Sequence, residues 1–347
     1  IHQQHPNFYT SVQNILYSCL ILKFYCSYSP SRTLMCGCFL PFRKYLLKYL
    51  TFFFIVLKLC VFTIAYHPIM LHPSAVFLPP GAAAQKEVFR MIRILTDSAS
   101  DLTATDSARP GVYTVPLSVT FADGTGGLDG VELTADEFYA HLKVDKVPPR
   151  TSQPSPQSFM TIFEDAKENG DQVIAILISS NLSGTYQCAR LAAESCDFED
   201  VFFVDSRTAS QGEAILVREA LRLRDEEHLP AHAIVAELEQ LKQRIRVLAV
   251  VDSLKHLHKG GRLPAAVALV GGALGVKPVL SVVDGQIKLA DTARGRPGAF
   301  VAMFKNIEKM GGVDPRYGYA LLYSDEKGVL APLHHYMHEN LHMTGGR

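Results

Sequence analysis

Short apolar segments rich in β-branched residues alternate along this chain with segments whose apolar residues recur at helical spacing. The run Val173–Ile178 is continuously apolar and lies between Asp171 and Ser179. Such a run is typical of a strand that is buried on both faces of a parallel sheet. Further strands are predicted at Ile92–Leu95, Tyr113–Val119, Val201–Val204 and Val247–Val251.

The segments between these strands carry the signals of helix termini. Thr134 and Glu137 have the spacing of a capping box. Ser155 and Pro156 suit the N-cap and the first position of a helix that Gly170 would end. Helices are therefore predicted over residues 134–143, 155–169 and 231–243. Strands that alternate with helices predict an α/β fold with a parallel sheet and right-handed crossovers.

The carboxyl-terminal part of the chain has a different pattern. Asp284-Gly285 separates the segments Leu280–Val283 and Gln286–Leu289, which is a signal for a β-hairpin. We therefore expect antiparallel pairing there, within a mixed sheet. The predicted organisation is a parallel-sheet domain over residues 91–252 and a mixed-sheet domain over residues 253–347, with the boundary near Ser253.

Two hydroxyl-rich segments lie where a helix follows extended chain. They are Thr151-Ser-Gln-Pro-Ser-Pro156 and Ser179-Ser-Asn-Leu-Ser-Gly-Thr-Tyr186. In the second segment a helix is expected to start at Ser183 as its N-cap, and Gly184 would let the backbone approach a ligand. Unpaired N–H groups and the positive end of a helix dipole favour a carboxylate or a phosphate. The alternative is that these hydroxyl groups only cap helices, so the residues alone indicate no more than a small anionic ligand.

Composition sets the class of protein. The chain has 347 residues, is 48% hydrophobic and carries a formal net charge of zero, which suits two domains with sizeable cores. No basic run with interleaved aromatic residues appears in the globular part, so nothing indicates a nucleic-acid partner. Beyond residue 60 the only cysteines are Cys188 and Cys196. This usage argues for a reducing cytoplasm rather than a disulfide framework, and neither thiol has the spacing of a metal site.

Several stretches resemble, in order and spacing, those of the DegV family. They are Met91–Leu102, the two hydroxyl-rich segments, Leu254-Lys-His-Leu-His-Lys-Gly-Gly-Arg262, and Gly275–Leu280 with Arg294-Gly-Arg296. The resemblance runs from Met91 to at least Phe300. Members of this family are bacterial fatty-acid-binding proteins, and some present the bound acid to a fatty acid kinase, which phosphorylates its carboxylate.

The resemblance implies a role for particular residues. Thr151 and Ser183 match the positions whose hydroxyl groups hold the carboxylate of a long-chain fatty acid, and Ser152 and the amide of Gly184 are second-choice contacts. The acid would lie between the two domains, where an apolar tail can be covered. No cofactor, metal or catalytic residue is implied.

The basic residues of the family motifs have two interpretations. By resemblance Arg262 belongs to a segment next to the ligand cleft, and the alternative is a basic turn between domains. Arg294 and Arg296 suit contact with an acidic partner such as the kinase, because arginine binds carboxylates and phosphates well. The alternative for Arg294 and Arg296 is solvated surface charge.

An enzymatic function is the alternative to a carrier. Asp97 or Asp205, each at the end of a predicted strand, would then act as a base on a small phosphorylated or carboxylated substrate. Aspartate at such a place more often caps the next helix. Ser183 lacks a Gly-x-Ser-x-Gly elbow and an identifiable His/Asp relay, so its hydroxyl has no means of activation. The sequence therefore favours the carrier.

Residues 1–90 do not share the α/β pattern. The stretch Leu50–Tyr66 is apolar apart from Lys58 and a few hydroxyl groups, which suits a signal peptide or a membrane anchor. The favoured interpretation is translated upstream DNA, because Met91 begins a segment like the amino terminus of the family. In addition, Lys86-Glu87-Val88 can be encoded by a purine-rich ribosome-binding sequence. We therefore expect a cytoplasmic protein without stable membrane insertion.

The carboxyl-terminal end departs from the family pattern. The chain stops at Gly345-Gly-Arg347 without the Gly-x-His-x-Gly-Pro-Gly-like segment that family members carry. The histidine of that segment would be a third carboxylate ligand. The resemblance therefore suggests a truncated carboxyl terminus, which puts the affinity for the acid in doubt.

Overall fold

The computed structural model describes residues 90–145, 147–263, 275–316, 318–324 and 327–343. The sequence-based interpretations of residues 1–89, including the apolar stretch Leu50–Tyr66, lie outside this described part. No helix within the described ranges combines the length and the apolar character that a membrane crossing requires.

A parallel sheet of four strands in the order β2-β1-β6-β7 forms the centre of the α/β part. Its strands are β1 (Ile92–Asp97), β2 (Val112–Val115), β6 (Gln172–Leu177) and β7 (Val201–Asp205). Strand β6 lies between β1 and β7, and its residues from Val173 to Leu177 are fully buried. The prediction of a strand buried on both faces is confirmed.

Helices pack on both faces of this sheet. The helices of this part are α1 (Ala104–Ser107), α2 (Ala135–Val144), α3 (Pro156–Asn169), α4 (Thr185–Ser195), α5 (Gln211–Asp225) and α6 (Ala231–Leu241). Leu95 and Ala175 contribute to a core with α3 and α4, whereas Ile94 and Ile174 contribute to a second core with α5 and α6. Successive side chains of a strand point to opposite faces, which explains why a continuous apolar strand supplies both cores.

The helix termini follow the local sequence. Helix α3 has Ser155 as its N-cap, with the Ser155 hydroxyl accepting the N–H of Ser158, and it ends at Gly170 in the left-handed conformation with φ 69°. Helix α2 opens with a complete capping box between Thr134 and Glu137. Both predicted caps are confirmed. A capping side chain binds only the backbone within its own turn, so the local sequence is sufficient to predict it.

The strand predicted at Tyr113–Val119 is wrong. Strand β2 ends at Val115, and β3 (Ser118–Thr120) belongs to a different sheet, where it pairs antiparallel with β4 (Gly126–Leu128) and β5 (Arg150–Ser152). Pro116 follows β2, and proline has no N–H with which to continue a ladder of hydrogen bonds. The apolar run therefore contains two strands rather than one.

The carboxyl-terminal sheet has the order β10-β9-β8 and pairs antiparallel throughout its described strands. Its strands are β8 (Leu248–Val250), β9 (Val276–Val283) and β10 (Gln286–Arg294), and the nearby helices are α7 (Lys255–Lys259), α8 (Gly295–Lys309) and α9 (Ala331–His335). Asp284 and Gly285 have φ 52° and 76°, as a two-residue hairpin turn with a right-handed twist requires. The predicted hairpin and its antiparallel pairing are confirmed. The strand predicted at Val247–Val251 as part of the parallel-sheet domain instead pairs antiparallel with β9 as β8.

A carboxyl group, that of Glu213 in α5, is fully buried near the carboxyl end of β1. The hydroxyl of Thr96 donates to Glu213 Oε1 at 2.8 Å, and Glu213 Oε2 has no hydrogen-bond partner among the described residues. Burial and, secondly, the charge of Asp97 raise the pKa of Glu213 well above its ordinary value. The protonated form is therefore favoured in the folded chain, because a buried charge without full compensation is costly.

Replacing Glu213 with glutamine should make the stability of the protein less dependent on pH. An acid whose pKa is higher in the folded than in the unfolded state lowers the unfolding free energy progressively as the pH rises above the unfolded pKa. We therefore expect the stability advantage of Glu213→Gln over the unaltered chain to grow from about pH 5 to about pH 8, as measured by urea denaturation.

The exposed Glu226 at the end of α5 supplies a matched control. Glu226→Gln should follow the unaltered chain across the same pH range, because exposure leaves its charge solvated. A free-energy difference between Glu213→Gln and the unaltered chain that stays constant with pH would contradict the buried, protonated state of Glu213.

Candidate functional site

The two hydroxyl-rich segments lie next to each other in the structure. Thr151 and Ser152 are exposed residues of β5, and Gln153 follows them directly. The Oε1 atom of Gln153 fills the space where a side chain at Gly184 would begin, so any Cβ there would collide with it. The thiol of Cys188 in α4 donates to the carbonyl of Pro154 at 3.4 Å. The segment after β5 therefore packs against the first turns of α4.

Helix α4 begins later than its sequence suggests. Its first residue is Thr185 and its N-cap is Gly184, which forms no side-chain cap. The prediction that Ser183 is the N-cap is therefore wrong. Ser183 stands one position earlier, and its hydroxyl lies 2.8 Å from the hydroxyl of Thr185 and accepts the Thr185 N–H at 3.3 Å. The side chain of Gln153 lies against Gly184 at this N-cap, and the half-buried Ser183 precedes the helix.

The base of the loop Ser179–Gly184, here named the serine loop, is held by Asp97 at the end of β1. Asp97 is fully buried, and its two carboxylate oxygens accept the N–H groups of Ile178 at 2.9 Å and Ala99 at 3.0 Å. Burial raises the pKa of Asp97 to about 6, against the lowering effect of these two backbone hydrogen bonds. Asp97 caps the short 3-10 helix that follows β1, as the capping interpretation predicted.

Asp205, at the end of β7, holds the serine loop in a similar way. Its carboxylate accepts the N–H of Ser180 at 3.2 Å, the hydroxyl of Ser180 at 2.6 Å and the N–H of Arg207 at 3.0 Å. Both oxygens of Asp205 therefore have partners within the protein, as do both oxygens of Asp97. The two candidate bases of the enzymatic alternative are used to shape a loop.

Residues of the carboxyl-terminal part touch the serine loop from a second side. The Nε of Arg262 donates to the carbonyl of Leu182 at 3.0 Å, and its Nη1 donates to the carbonyl of Gly260. The side-chain amide of Asn181 donates to the carbonyl of Asp284, at the tip of the β9–β10 hairpin, at 3.0 Å. The interpretation of Arg262 as a neighbour of the site fits this contact with the loop.

The other two motif arginines lie near the start of α8. Arg294 is exposed at the end of β10 and precedes α8. Arg296 donates to Asp252 through Nε at 3.1 Å, and Lys277 Nζ lies 2.7 Å from the same carboxylate. The hydrogen bonds from Arg296 and then Lys277 hold the pKa of Asp252 far below its ordinary value. Arg296 is therefore in an ion-pair cluster, rather than solvated as an isolated charge.

The arrangement supplies hydroxyl and amide donors that can hold an anion. Thr151 and Ser152 are exposed in β5, and the half-buried Ser183 immediately precedes the N-cap of α4. In the described ranges no three His, Cys, Asp or Glu side chains are grouped as metal ligands. Hydroxyl and amide donors at a helix amino end can bind a carboxylate or a phosphate without any cofactor.

Sequence reasoning did not identify Gln153, Asn181 or the partners of Arg262. Gln153 and Asn181 lie inside the two hydroxyl-rich segments, but their contacts are with residues that are distant along the chain. The pattern at Asp284-Gly285 predicts a turn, and it does not indicate that this turn contacts the serine loop.

Comparison with known proteins identifies the family. A sequence model described as "Uncharacterised protein, DegV family" matches residues 91–340. A DegV domain-containing protein of Caldanaerobacter subterraneus subsp. tengcongensis is 35% identical over 253 residues, which cover 73% of this chain and 89% of that protein.

Solved structures agree with this assignment. A DegV family protein from Thermus thermophilus, described as fatty-acid-binding, is 34% identical with a TM-score of 0.65, covering 72% of this chain and 88% of that one. A stearic-acid-binding protein from Eubacterium ventriosum is 31% identical with a TM-score of 0.59, covering 63% of this chain and 76% of that one. The α/β fold with its parallel and antiparallel sheets is thus the fold of these proteins, and the chain belongs to the DegV family.

Proposed function

We propose that this chain binds a long-chain fatty acid through its carboxylate and presents the acid to a fatty acid kinase, without catalysis of its own. The observation that supports the proposal is the contact between Gln153 and Gly184, because it packs the segment after Thr151 and Ser152 against the turn that follows Ser183. The similar proteins from Thermus thermophilus and Eubacterium ventriosum are described as binding fatty acids, which supports the choice of ligand.

In this proposal Thr151 and Ser183 donate their hydroxyl groups to the carboxylate. Ser152 and the backbone amide of Gly184 are further donors. The positive end of the α4 dipole adds a favourable interaction with the negative charge. The acyl chain lies between the part built on the parallel sheet and the part built on the carboxyl-terminal sheet, to which β8 belongs. Apolar side chains cover it there at about 0.8 kcal/mol per buried methylene group.

In this proposal the partner is a fatty acid kinase and the compartment is the cytoplasm. Arg294 is exposed and Arg262 lies at the serine loop, so a kinase with an acidic surface would meet positive charge beside the carboxylate. Arg296, which forms an ion pair with Asp252, would add to the positive charge that contacts the kinase. Cys188 and Cys196 are buried free thiols, which suits a reducing cytoplasm.

The enzymatic alternative is less well supported. Asp97 and Asp205, its candidate bases, each accept hydrogen bonds on both carboxylate oxygens from nearby backbone or hydroxyl groups. The hydroxyl of Ser183 is paired with that of Thr185, which cannot act as a general base near neutral pH. A binding site explains the same residues without requiring an activated group.

Native mass spectrometry of the purified chain tests the class of function. We expect an adduct whose mass equals that of a fatty acid and which is lost on delipidation, because buried methylene groups make dissociation slow. A protein that carries no such adduct, does not take up added hexadecanoic acid and hydrolyses a phosphate ester would instead support the enzyme.

Replacing Ser183 with alanine tests the head-group contact. We expect the affinity for a long-chain fatty acid to fall by about 1.5–3 kcal/mol, the range for a hydrogen bond to a charged group. The dissociation constant can be measured by displacement of a fluorescent fatty acid.

Ser195 gives the matched control for this substitution. It is exposed at the far end of the same helix α4, where its hydroxyl donates to the carbonyl of Leu191 at 2.8 Å. Ser195→Ala should leave the dissociation constant unchanged. Equal affinities of Ser183→Ala and Ser195→Ala would exclude Ser183 as a carboxylate ligand.

A further inference from the structure

The tip of the β9–β10 hairpin closes on the serine loop through two side-chain hydrogen bonds. The hydroxyl of Ser179, which is fully buried, donates to the carbonyl of Gly285 at 2.8 Å. The side-chain amide of Asn181 donates to the carbonyl of Asp284 at 3.0 Å. Hairpin tips are usually solvated, yet Gly285 is buried by this contact. The contact therefore joins the carboxyl-terminal sheet to the loop that bears Ser183.

The close approach depends on the absence of a side chain at Gly285. A Cβ atom at this position would collide with the Ser179 hydroxyl and would come within 3.1 Å of the Asn181 side-chain nitrogen. Gly285 also has φ 76°, a conformation that residues with a side chain adopt at a cost. Even alanine would therefore push the tip away from the serine loop.

The hydrogen bond to Gly285 fixes the part of the loop that leads to Ser183. The same Ser179 hydroxyl accepts the N–H of Asn181 at 3.2 Å. The carbonyl of Ser179 accepts the N–H groups of Leu182 at 2.9 Å and Ser183 at 3.1 Å. Ser179 is thus the centre of a turn whose end is Ser183, and its side chain is oriented by the hairpin.

The opposite side of the loop is held independently. The N–H of Ser179 donates to the carbonyl of Thr208 at 2.9 Å, and Asp97 holds the N–H of Ile178. Loss of the hairpin contact would leave these bonds, together with those of Asp205 to Ser180 and of Arg262 to Leu182. The loop would therefore keep its course, while the side chains of Ser179 and Asn181 and the turn that ends at Ser183 gain freedom. The hairpin therefore acts on the placement of the donors more than on the fold.

We propose that Ser179 and Asn181 are positioning residues, through which the Asp284-Gly285 tip sets the placement of the Ser183 hydroxyl and the Gly184 amide. This inference rests on the proposed function, since its consequence is selective recognition of a carboxylate. The fatty acid is bound with full affinity when the hairpin tip is hydrogen-bonded to the serine loop. A long-chain alcohol depends little on the tip, because its head group carries no charge for the aligned donors to stabilise.

The test compares an acid with an alcohol of the same chain length. In the full chain, Asn181→Ala removes one bond to the tip and Gly285→Ala displaces the tip, while Gln286→Ala alters an exposed neighbour and serves as the control. Displacement of a fluorescent fatty acid by hexadecanoic acid and by hexadecan-1-ol gives the two affinities. We expect Asn181→Ala and Gly285→Ala to bind the acid about fivefold more weakly than the unaltered chain. Their affinity for the alcohol, and both affinities of Gln286→Ala, should stay within about twofold of the unaltered chain.

Equal weakening of the acid and the alcohol would overturn the inference, because it would indicate a general loss of structure. Hydrogen exchange of residues 179–184 without ligand provides a second measurement. Faster exchange in Asn181→Ala supports the positioning role, and unchanged exchange overturns it. An unaltered chain that binds neither ligand would refute the proposed function, and the exchange result would still decide whether the tip orders the loop. Asn181→Ala keeps the test valid if Gly285→Ala fails to fold.

Discussion

The hydrogen bonds of one buried carboxylate, that of Asp97, determine where the candidate site is built. Asp97 accepts the N–H of Ile178 at the end of β6 and the N–H of Ala99 after β1, so it fixes the exit directions of two neighbouring strands. Its burial is unfavourable for the charged form and raises the pKa to about 6. Two backbone donors offset this cost in part, and the preference of the adjacent Glu213 for its neutral form removes a competing charge.

Fixed strand exits allow several parts of the chain to converge on the serine loop. Asp205 holds it at β7, Gln153 reaches Gly184 from the segment after β5, and the hairpin tip reaches Asn181 from the carboxyl-terminal sheet. Because Asp97 and Asp205 already accept hydrogen bonds from backbone or hydroxyl groups, the donors that the serine loop can offer a ligand are hydroxyls and amides. Such groups can stabilise a bound anion but do not abstract a proton near neutral pH, so the geometry favours the proposed carrier over the enzymatic alternative.

The features that sequence predicted are those that depend on neighbours in the chain. Ser155 and Gly170 delimit α3 as expected, since each acts on backbone within its own turn. The segment Tyr113–Val119 is divided at Pro116, and the residues after Pro116 form β3. Strand β3 pairs with β5, which is distant along the chain, so the local pattern does not indicate this pairing. Helix α4 starts at Thr185 rather than directly after Ser183, and the side chain of Gln153, which lies against its N-cap Gly184, comes from a segment that spacing within the helix cannot indicate. The motifs indicated the candidate site, whereas the contacts that hold the serine loop in place could be identified only from the folded structure.

The relative sizes of the interactions explain why a carrier of this kind needs an ordered head-group loop. Two hydrogen bonds to a carboxylate contribute about 3–6 kcal/mol, whereas the methylene groups of a long acyl chain contribute on the order of 10 kcal/mol before the costs of binding. Contacts with the acyl chain therefore supply most of the affinity, and they cannot distinguish an acid from other lipids of equal length. Discrimination must come from the head group, and hydrogen bonds of 2.7–3.1 Å discriminate only if their donors are held in place. The bonds from Asp97, Asp205 and the hairpin supply that order.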